Sequence, residues 1–130
     1  MESISILFVE DEAVLRTVME EELNDAGFAV SMASRAKQAI TMLDSPGADY
    51  RALVTDIHLG DDPSTTGWDV ARHARELQPD LPVVYITGAG ADEWTSQGVP
   101  NSVLVKKPFA PAQVITAVSQ LLNQGNMPGA

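Results

Sequence analysis

Ile4-Ser5-Ile6-Leu7-Phe8-Val9-Glu10-Asp11-Glu12 is a short apolar run that breaks off abruptly in three acids. A nearly continuous apolar run of this length suits a strand buried on both faces, as in a parallel sheet. Ala52-Leu53-Val54-Thr55, Val83-Val84-Tyr85-Ile86 and Val103-Leu104-Val105 have the same character. Phe28-Ala29-Val30-Ser31-Met32 carries its larger side chains on alternate residues, which suits an edge strand.

Between these runs the apolar period lengthens to that of helices. Val14, Leu15, Val18, Met19, Leu23 and Ala26 form a stripe that Gly27 stops. Ala36, Ile40 and Leu43 precede Ser45-Pro46-Gly47, and Val70, Ala71, Ala74 and Leu77 run from Gly67 towards Pro79. Val114, Ala117, Val118, Leu121 and Leu122 form a last helix starting near Pro111. Ala91 to Gln97 is short, has few apolar residues and gives the weakest helical pattern. Alternating strands and helices with right-handed crossovers predict a doubly wound α/β domain, with helices on both faces of a five-stranded parallel sheet. Residues 1–124 are expected to form that domain and 125–130 a short polar tail.

With 130 residues, 45% of them hydrophobic, the chain has material for one core. It has no cysteine, which excludes disulfides, thiol catalysis and thiolate metal sites, and His58 and His73 are too few for a histidine-built metal site. A formal charge of −10 disfavours binding to nucleic acid or anionic lipid. The sequence shows neither a membrane-length apolar run nor a basic leader, so a cytoplasmic protein is expected.

In open α/β sheets the functional crevice lies at the carboxyl ends of the strands. The first run ends in Glu10-Asp11-Glu12, the third at Asp56, the fourth at Thr87 and the fifth at Lys106-Lys107-Pro108. Taken singly, each has a plainer explanation. Asp11 or Glu12 suits a helix N-cap, Asp56 a loop cap, Thr87 a strand-end turn, and the lysines solvated charge. Independent structural causes would rarely place such residues at four successive strand ends. Ionised carboxylates crowded together repel one another, and a hard cation such as Mg²⁺ relieves the conflict. Asp56 would then be a nucleophile towards a phosphoryl group, Thr87 a hydrogen-bond donor to it and Lys107 its ion-pair partner.

The motifs Ile6-Leu7-Phe8-Val9-Glu10-Asp11-Glu12, Leu53-Val54-Thr55-Asp56-Ile57, Gly67-Trp68-Asp69, Val84-Tyr85-Ile86-Thr87-Gly88 and Val105-Lys106-Lys107-Pro108-Phe109 occur in order over nearly the whole chain. In this the sequence resembles the receiver domains of two-component response regulators. The resemblance implies a flavodoxin-like sheet order 2-1-3-4-5 and Asp56 as phosphoacceptor. It implies Mg²⁺ held by Asp11 and Asp56, by Glu10 through water, and by the backbone carbonyl of His58. It makes Thr87 and Lys107 the phosphoryl-binding and switch residues, with a cis bond before Pro108. It further implies a signalling protein rather than an enzyme, although one with Mg²⁺-dependent self-phosphorylation and autodephosphorylation. A histidine kinase or histidine phosphotransfer protein would be its donor, and a downstream protein its target.

Three departures qualify the match. Leu59-Gly60-Asp61-Asp62-Pro63-Ser64-Thr65-Thr66 is longer than usual and lacks the family's proline after the acceptor, which predicts a mobile acidic loop. The stretch from Gly90 to Asn101 is shorter than usual, leaving the length of a fourth helix open. Leu104 stands where an aromatic residue often reports phosphorylation.

A haloacid-dehalogenase-type phosphatase would want an aspartate at position 58, which is His58. A flavodoxin-like electron carrier would need a phosphate cradle where Glu10-Asp11-Glu12 would repel one. A receiver-like binding module without phosphotransfer fits poorly with an intact set of Glu10, Asp11, Asp56, Thr87 and Lys107. A stand-alone regulator is expected because the chain begins at Met1, with a receiver cut from a hybrid histidine kinase as the alternative.

Overall fold

The computed structural model describes residues 3–60, 63–88 and 91–125. In chain order these form β1 (Ile4–Val9), α1 (Ala13–Asp25), β2 (Phe28–Ala33), α2 (Ala36–Asp44), β3 (Ala52–Asp56), α3 (Gly67–Leu77), β4 (Val83–Thr87), a 3₁₀ turn (Ala91–Glu93), α4 (Trp94–Gln97), β5 (Ser102–Lys106) and α5 (Pro111–Gly125). The sheet order is β2-β1-β3-β4-β5 and every pairing is parallel.

Alternation along the central strands divides the core in two. Leu7, Val9, Leu53, Val83 and Tyr85 pack with Ala39 and Leu43 of α2 and Val70, Ala71 and Ala74 of α3. Ile6, Phe8, Val54, Val84 and Ile86 pack with Met19 and Leu23 of α1 and Val114 and Val118 of α5. All of β3 and β4 is buried, which is why their sequences read as unbroken apolar runs. The alternating run at Phe28 is an edge strand, as its pattern predicts.

Three expectations need correction. The run Val103-Leu104-Val105 forms the opposite edge, as the order 2-1-3-4-5 implies, but it is not buried on both faces, and Val105 alone in β5 is buried. The stripe on α1 is narrower than its apolar residues suggest. Met19 and Leu23, one turn apart, are buried and Leu15 partly so, whereas Val14 is 79% exposed, Val18 is 39% exposed and Ala26 is also in solvent. One helix face can meet one sheet, and residues 15, 19 and 23 fill it. Leu77, at the end of α3, is likewise half exposed.

The weak pattern over Ala91 to Gln97 becomes a 3₁₀ turn followed by one α-helical turn. Polar side chains anchor this segment. The Trp94 indole donates to Ser102 Oγ (2.9 Å), Ser102 Oγ donates to the Val99 carbonyl (2.6 Å), and the Val99 amide donates to the Tyr85 hydroxyl (3.1 Å). Trp94 lies flush against Gly98, where an added Cβ would sit 2.5 Å from Trp94 Cδ1 and 2.8 Å from its carbonyl oxygen. Asp61, Asp62, Ala89, Gly90 and the tail beyond residue 125 lie outside the described residues.

Gly98→Ala should therefore push the Trp94 ring out and break its bond to Ser102. The expected cost is about 1–3 kcal/mol, typical of overpacking. The change should appear as a red-shifted Trp94 emission and a lower denaturation midpoint, with Trp68 still buried.

Candidate functional site

β1 delivers its acids to the sheet edge with little freedom. The Glu10 amide donates to the Ala33 carbonyl (3.0 Å), so the strand spacing continues past Val9 and the Glu10 side chain, with no exposed surface, lies inside the crevice. Arg16 then braces the turn, donating to the carbonyl oxygens of Glu10 and Asp11 at 2.9 Å each. Glu12 occupies the N-cap position of α1 but makes no side-chain capping bond, so capping does not account for these acids.

β3 ends at Asp56, which is 4% exposed, and β4 ends at Thr87, which is 1% exposed. The Thr87 carbonyl accepts the Lys107 amide at 2.8 Å, tying the end of β4 to the turn after β5. That turn carries a cis Lys107-Pro108 bond. Lys106 is exposed, while Lys107 reaches into the crevice, as the motif predicts. Its Nζ lies 2.8 Å from Asp56 Oδ2, 3.0 Å from Glu10 Oε1 and 3.4 Å from Glu12 Oε2. His58 and Pro108 are exposed and Leu104 is half-buried, so the His58 imidazole faces solvent.

Glu10, Asp11 and Asp56 each offer a carboxylate oxygen, and the three atoms lie within 4.8 Å of one another. Lys107 does not fully neutralise them. Although its Nζ is 3.0 Å from Glu10 Oε1, that buried oxygen has no properly aligned hydrogen bond. An all-oxygen donor set with an unsatisfied buried oxygen fits a hard divalent cation such as Mg²⁺. Two further groups were not apparent from the sequence. The Gly60 amide donates to Asp11 Oδ2 (3.1 Å), and Arg16 holds the acidic turn from behind. The one sequence signal for the first is a glycine in a long loop, and here Gly60 has a φ of +71°.

Burial raises the Glu10 carboxyl most, its hydrogen bond to Asp11 and the charge of Asp56 add to this, and its pKa reaches about 8 despite the Glu12 amide and Lys107. At Asp11 burial also acts upward, but hydrogen bonds from Glu10 and Gly60 and the charge of Lys107 hold the carboxyl below its ordinary value. Burial works against the Lys107 ammonium, yet hydrogen bonds and charge from Asp56 and Glu10 prevail and raise its pKa. The Glu10 carboxyl thus holds its proton to higher pH than a free carboxyl does, in a hydrogen bond to Asp11.

The folded state binds that proton more tightly than the unfolded chain does. Without divalent metal, stability should fall as pH rises from the ordinary carboxyl range near 4.5 to about 8, by up to about 1.4 kcal/mol per pH unit from this group. Thermal unfolding in chelator across that interval tests it, and Glu10→Gln should flatten the profile.

Residues 6–119 match the family model described as the response regulator receiver domain. The chain is 30% identical over 125 residues to the transcriptional regulatory protein CusR of Escherichia coli K12, covering 94% of this chain and 52% of that protein. It is 32% identical to the probable transcriptional regulatory protein SilR of Salmonella typhimurium, covering 95% and 53% respectively. The chain thus spans about half the length of these curated relatives. A crystal structure of a response regulator receiver protein from Sinorhizobium medicae superposes with a TM-score of 0.88 at 52% identity, covering 94% of this chain and 96% of that one. The fold also matches, at 23% identity and a TM-score of 0.76, the receiver domain of the sensor histidine kinase PA1611 from Pseudomonas aeruginosa, which was crystallised with magnesium in its active-site cleft. The parallel sheet, the strand-end acids with Lys107 among them and these likenesses agree: the chain belongs to the response regulator receiver family.

Proposed function

We propose that this protein is a phosphoacceptor response regulator that takes a phosphoryl group onto Asp56 from a histidine kinase or a histidine phosphotransfer protein. The observation that carries this reading is the position of Asp56, almost wholly buried between the acids of β1 and the Lys107 ammonium 2.8 Å away. The carboxylate oxygens of Glu10, Asp11 and Asp56, within 4.8 Å of one another, would hold Mg²⁺ together with the His58 carbonyl. When bound, Mg²⁺ supplies positive charge that offsets the phosphoryl oxygens.

The work of the chain's own residues follows from their placement. An Asp56 carboxylate oxygen forms a bond to phosphorus as the phosphorus–nitrogen bond of the donor phosphohistidine breaks, and the electron pair returns to the imidazole. Lys107 leaves its ion pair with Asp56 for a phosphoryl oxygen, and the Thr87 hydroxyl donates to another. Arg16 and the Gly60 amide keep Asp11 aimed into the crevice throughout. The protein then works as a signal carrier in the cytoplasm rather than as an enzyme with an external substrate. An overall charge of −10 favours a protein target over nucleic acid.

The donor needs a place to dock beside Asp56. Val14 and Val18 of α1 are exposed, and with Leu15, Pro108 and Phe109 they line a shallow groove that Glu12 and Lys107 border on the crevice side. An apolar face beside a reactive carboxylate suits an amphipathic partner helix.

Incubation with Mg²⁺ and a small phosphodonor or a histidine kinase should give one acid-stable, base-labile label, absent from Asp56→Asn. Lys107→Ala should impair the response far more than Lys106→Ala. Labelling of Asp56→Asn at the wild-type level would remove the acceptor from this reading.

Output should use the weakly packed side of the sheet. Thr87 leads towards the segment containing Trp94, and Leu104, standing in place of an aromatic residue, offers only a small rotamer response. With a beryllofluoride mimic on Asp56, hydrogen exchange should change between residues 88 and 109. Change confined to residues 10–12 and 56–66 would instead direct the signal through the long loop.

A further inference from the structure

We propose that Gly67 is a positioning residue for Asp56, setting the backbone on which the acceptor carboxylate stands; this rests on the phosphoacceptor reading above. Gly67 opens α3 eleven residues after Asp56 in sequence, yet its Cα is pressed against the end of β3. An added Cβ would overlap the Asp56 carbonyl oxygen and come within 2.9 Å of both the Asp56 carbonyl carbon and the Ile57 Cα. All three obstacles are backbone atoms, so no side-chain rotation relieves the clash. The glycine is needed for this close approach, since its φ is not in the left-handed region.

Hydrogen bonds to β4, to α3 and within β3 hold the strand end. The Ile57 amide donates to the Ile86 carbonyl (3.1 Å), the Gly67 amide donates to the Ile57 carbonyl (2.8 Å), and the Thr55 hydroxyl donates to the Asp56 carbonyl (2.8 Å). Helix α3 is fixed in turn. The Thr66 amide donates to Asp69 Oδ2 (2.8 Å) in a reciprocal capping box, and Trp68 is buried with its ring centre 4.7 Å from that of Tyr85. The first turn of α3 therefore acts as a stop against which β3 ends. Moving the stop moves Asp56 and the His58 carbonyl together, because both hang from the same short run of backbone. A reacting group displaced by about 1 Å can lose on the order of 100-fold in rate.

The test compares Gly67→Ala with Val70→Ala, a core truncation in the same helix, measuring thermal unfolding, Mg²⁺ affinity, Asp56 labelling and the amide shifts of Ile57 and His58. Gly67→Ala should fold, shift both amides, and lose at least about tenfold in Mg²⁺ affinity and labelling rate. Val70→Ala should unfold at a lower temperature yet bind Mg²⁺ as the wild type does. Wild-type metal affinity and labelling in Gly67→Ala, or equal losses in Val70→Ala, would overturn the proposal. If Gly67→Ala does not fold, Thr66→Ala decides, because it loosens the same turn without adding bulk. It should weaken Mg²⁺ binding severalfold, and unchanged binding would also overturn the proposal. Should the wild type itself neither bind Mg²⁺ nor accept label, the phosphoacceptor reading fails. The Ile57 and His58 amide shifts of metal-free Gly67→Ala, or of Thr66→Ala, still decide whether Gly67 sets the strand end.

Discussion

Three carboxylates and one ammonium share a space only a few ångströms across, and much of the rest of the structure serves to keep them there. Left in water, Glu10, Asp11 and Asp56 would separate, since like charges repel and hydration is available to each. The fold denies them that choice by burying Glu10 completely and Asp56 almost completely, with Lys107 as the nearest positive charge. The arrangement is a compromise in which burial raises the Glu10 pKa and one of its oxygens lacks an aligned partner. An all-oxygen cluster with one buried oxygen unsatisfied is the kind of surrounding that a hard cation fits.

Such crowding is possible because a parallel sheet directs every strand end to the same edge. Asp56 on β3, Thr87 on β4 and the acids after β1 reach that edge on separate strands, so their spacing follows from the register of the sheet rather than from flexible loops. The two halves of the core hold that register from opposite faces. The loops supply second contacts: Arg16 on the acidic turn, the Gly60 amide on Asp11, and Gly67 against the back of Asp56. Rigid strands set the chemistry, and short hydrogen bonds across loops trim it.

How much of this is legible in the sequence depends on whether the cause is local. The five strands and the placement of Asp56, Glu10, Asp11, Thr87 and Lys107 can be read from apolar runs and the residues that end them, whereas the sheet order comes only with the family resemblance. Of the two lysines it is Lys107 that reaches Asp56 and Lys106 that is exposed, for successive residues at a strand end point in opposite directions. Apolar character alone misjudges Val14 and Val18, because hydrophobicity says nothing about how much of a helix a sheet can cover. It misjudges β5 too, since a run of valine and leucine looks alike in the middle of a sheet and at its edge. The contacts of Gly60 and Arg16 cannot be read, because backbone groups supply one half of each bond and every residue has those.

The two faces of the sheet differ in a way that bears on signalling. On the face of α1 and α5, long helices bury Met19, Leu23, Val114 and Val118 completely. At the β4–β5 end, by contrast, α4 is one turn long with no buried residue, and β5 has one open edge. Val99 is buried here and Trp94 and Leu104 pack against the core, and a chain of polar contacts through Trp94, Ser102, Val99 and Tyr85 adds to this, with Arg72 donating to the Gln97 carbonyl (3.1 Å). Single hydrogen bonds of this kind each contribute only about 0.5–1.5 kcal/mol, against about 1.5–3 kcal/mol for a buried large apolar side chain. A perturbation at Thr87 of the size typical for coupled sites, about 1–3 kcal/mol, would leave the helical core of the opposite face in place. It is comparable to the hydrogen bond that helps fix Trp94. On the proposed reading, the part of the molecule free to respond is therefore the part that the sequence marks least strongly as helix.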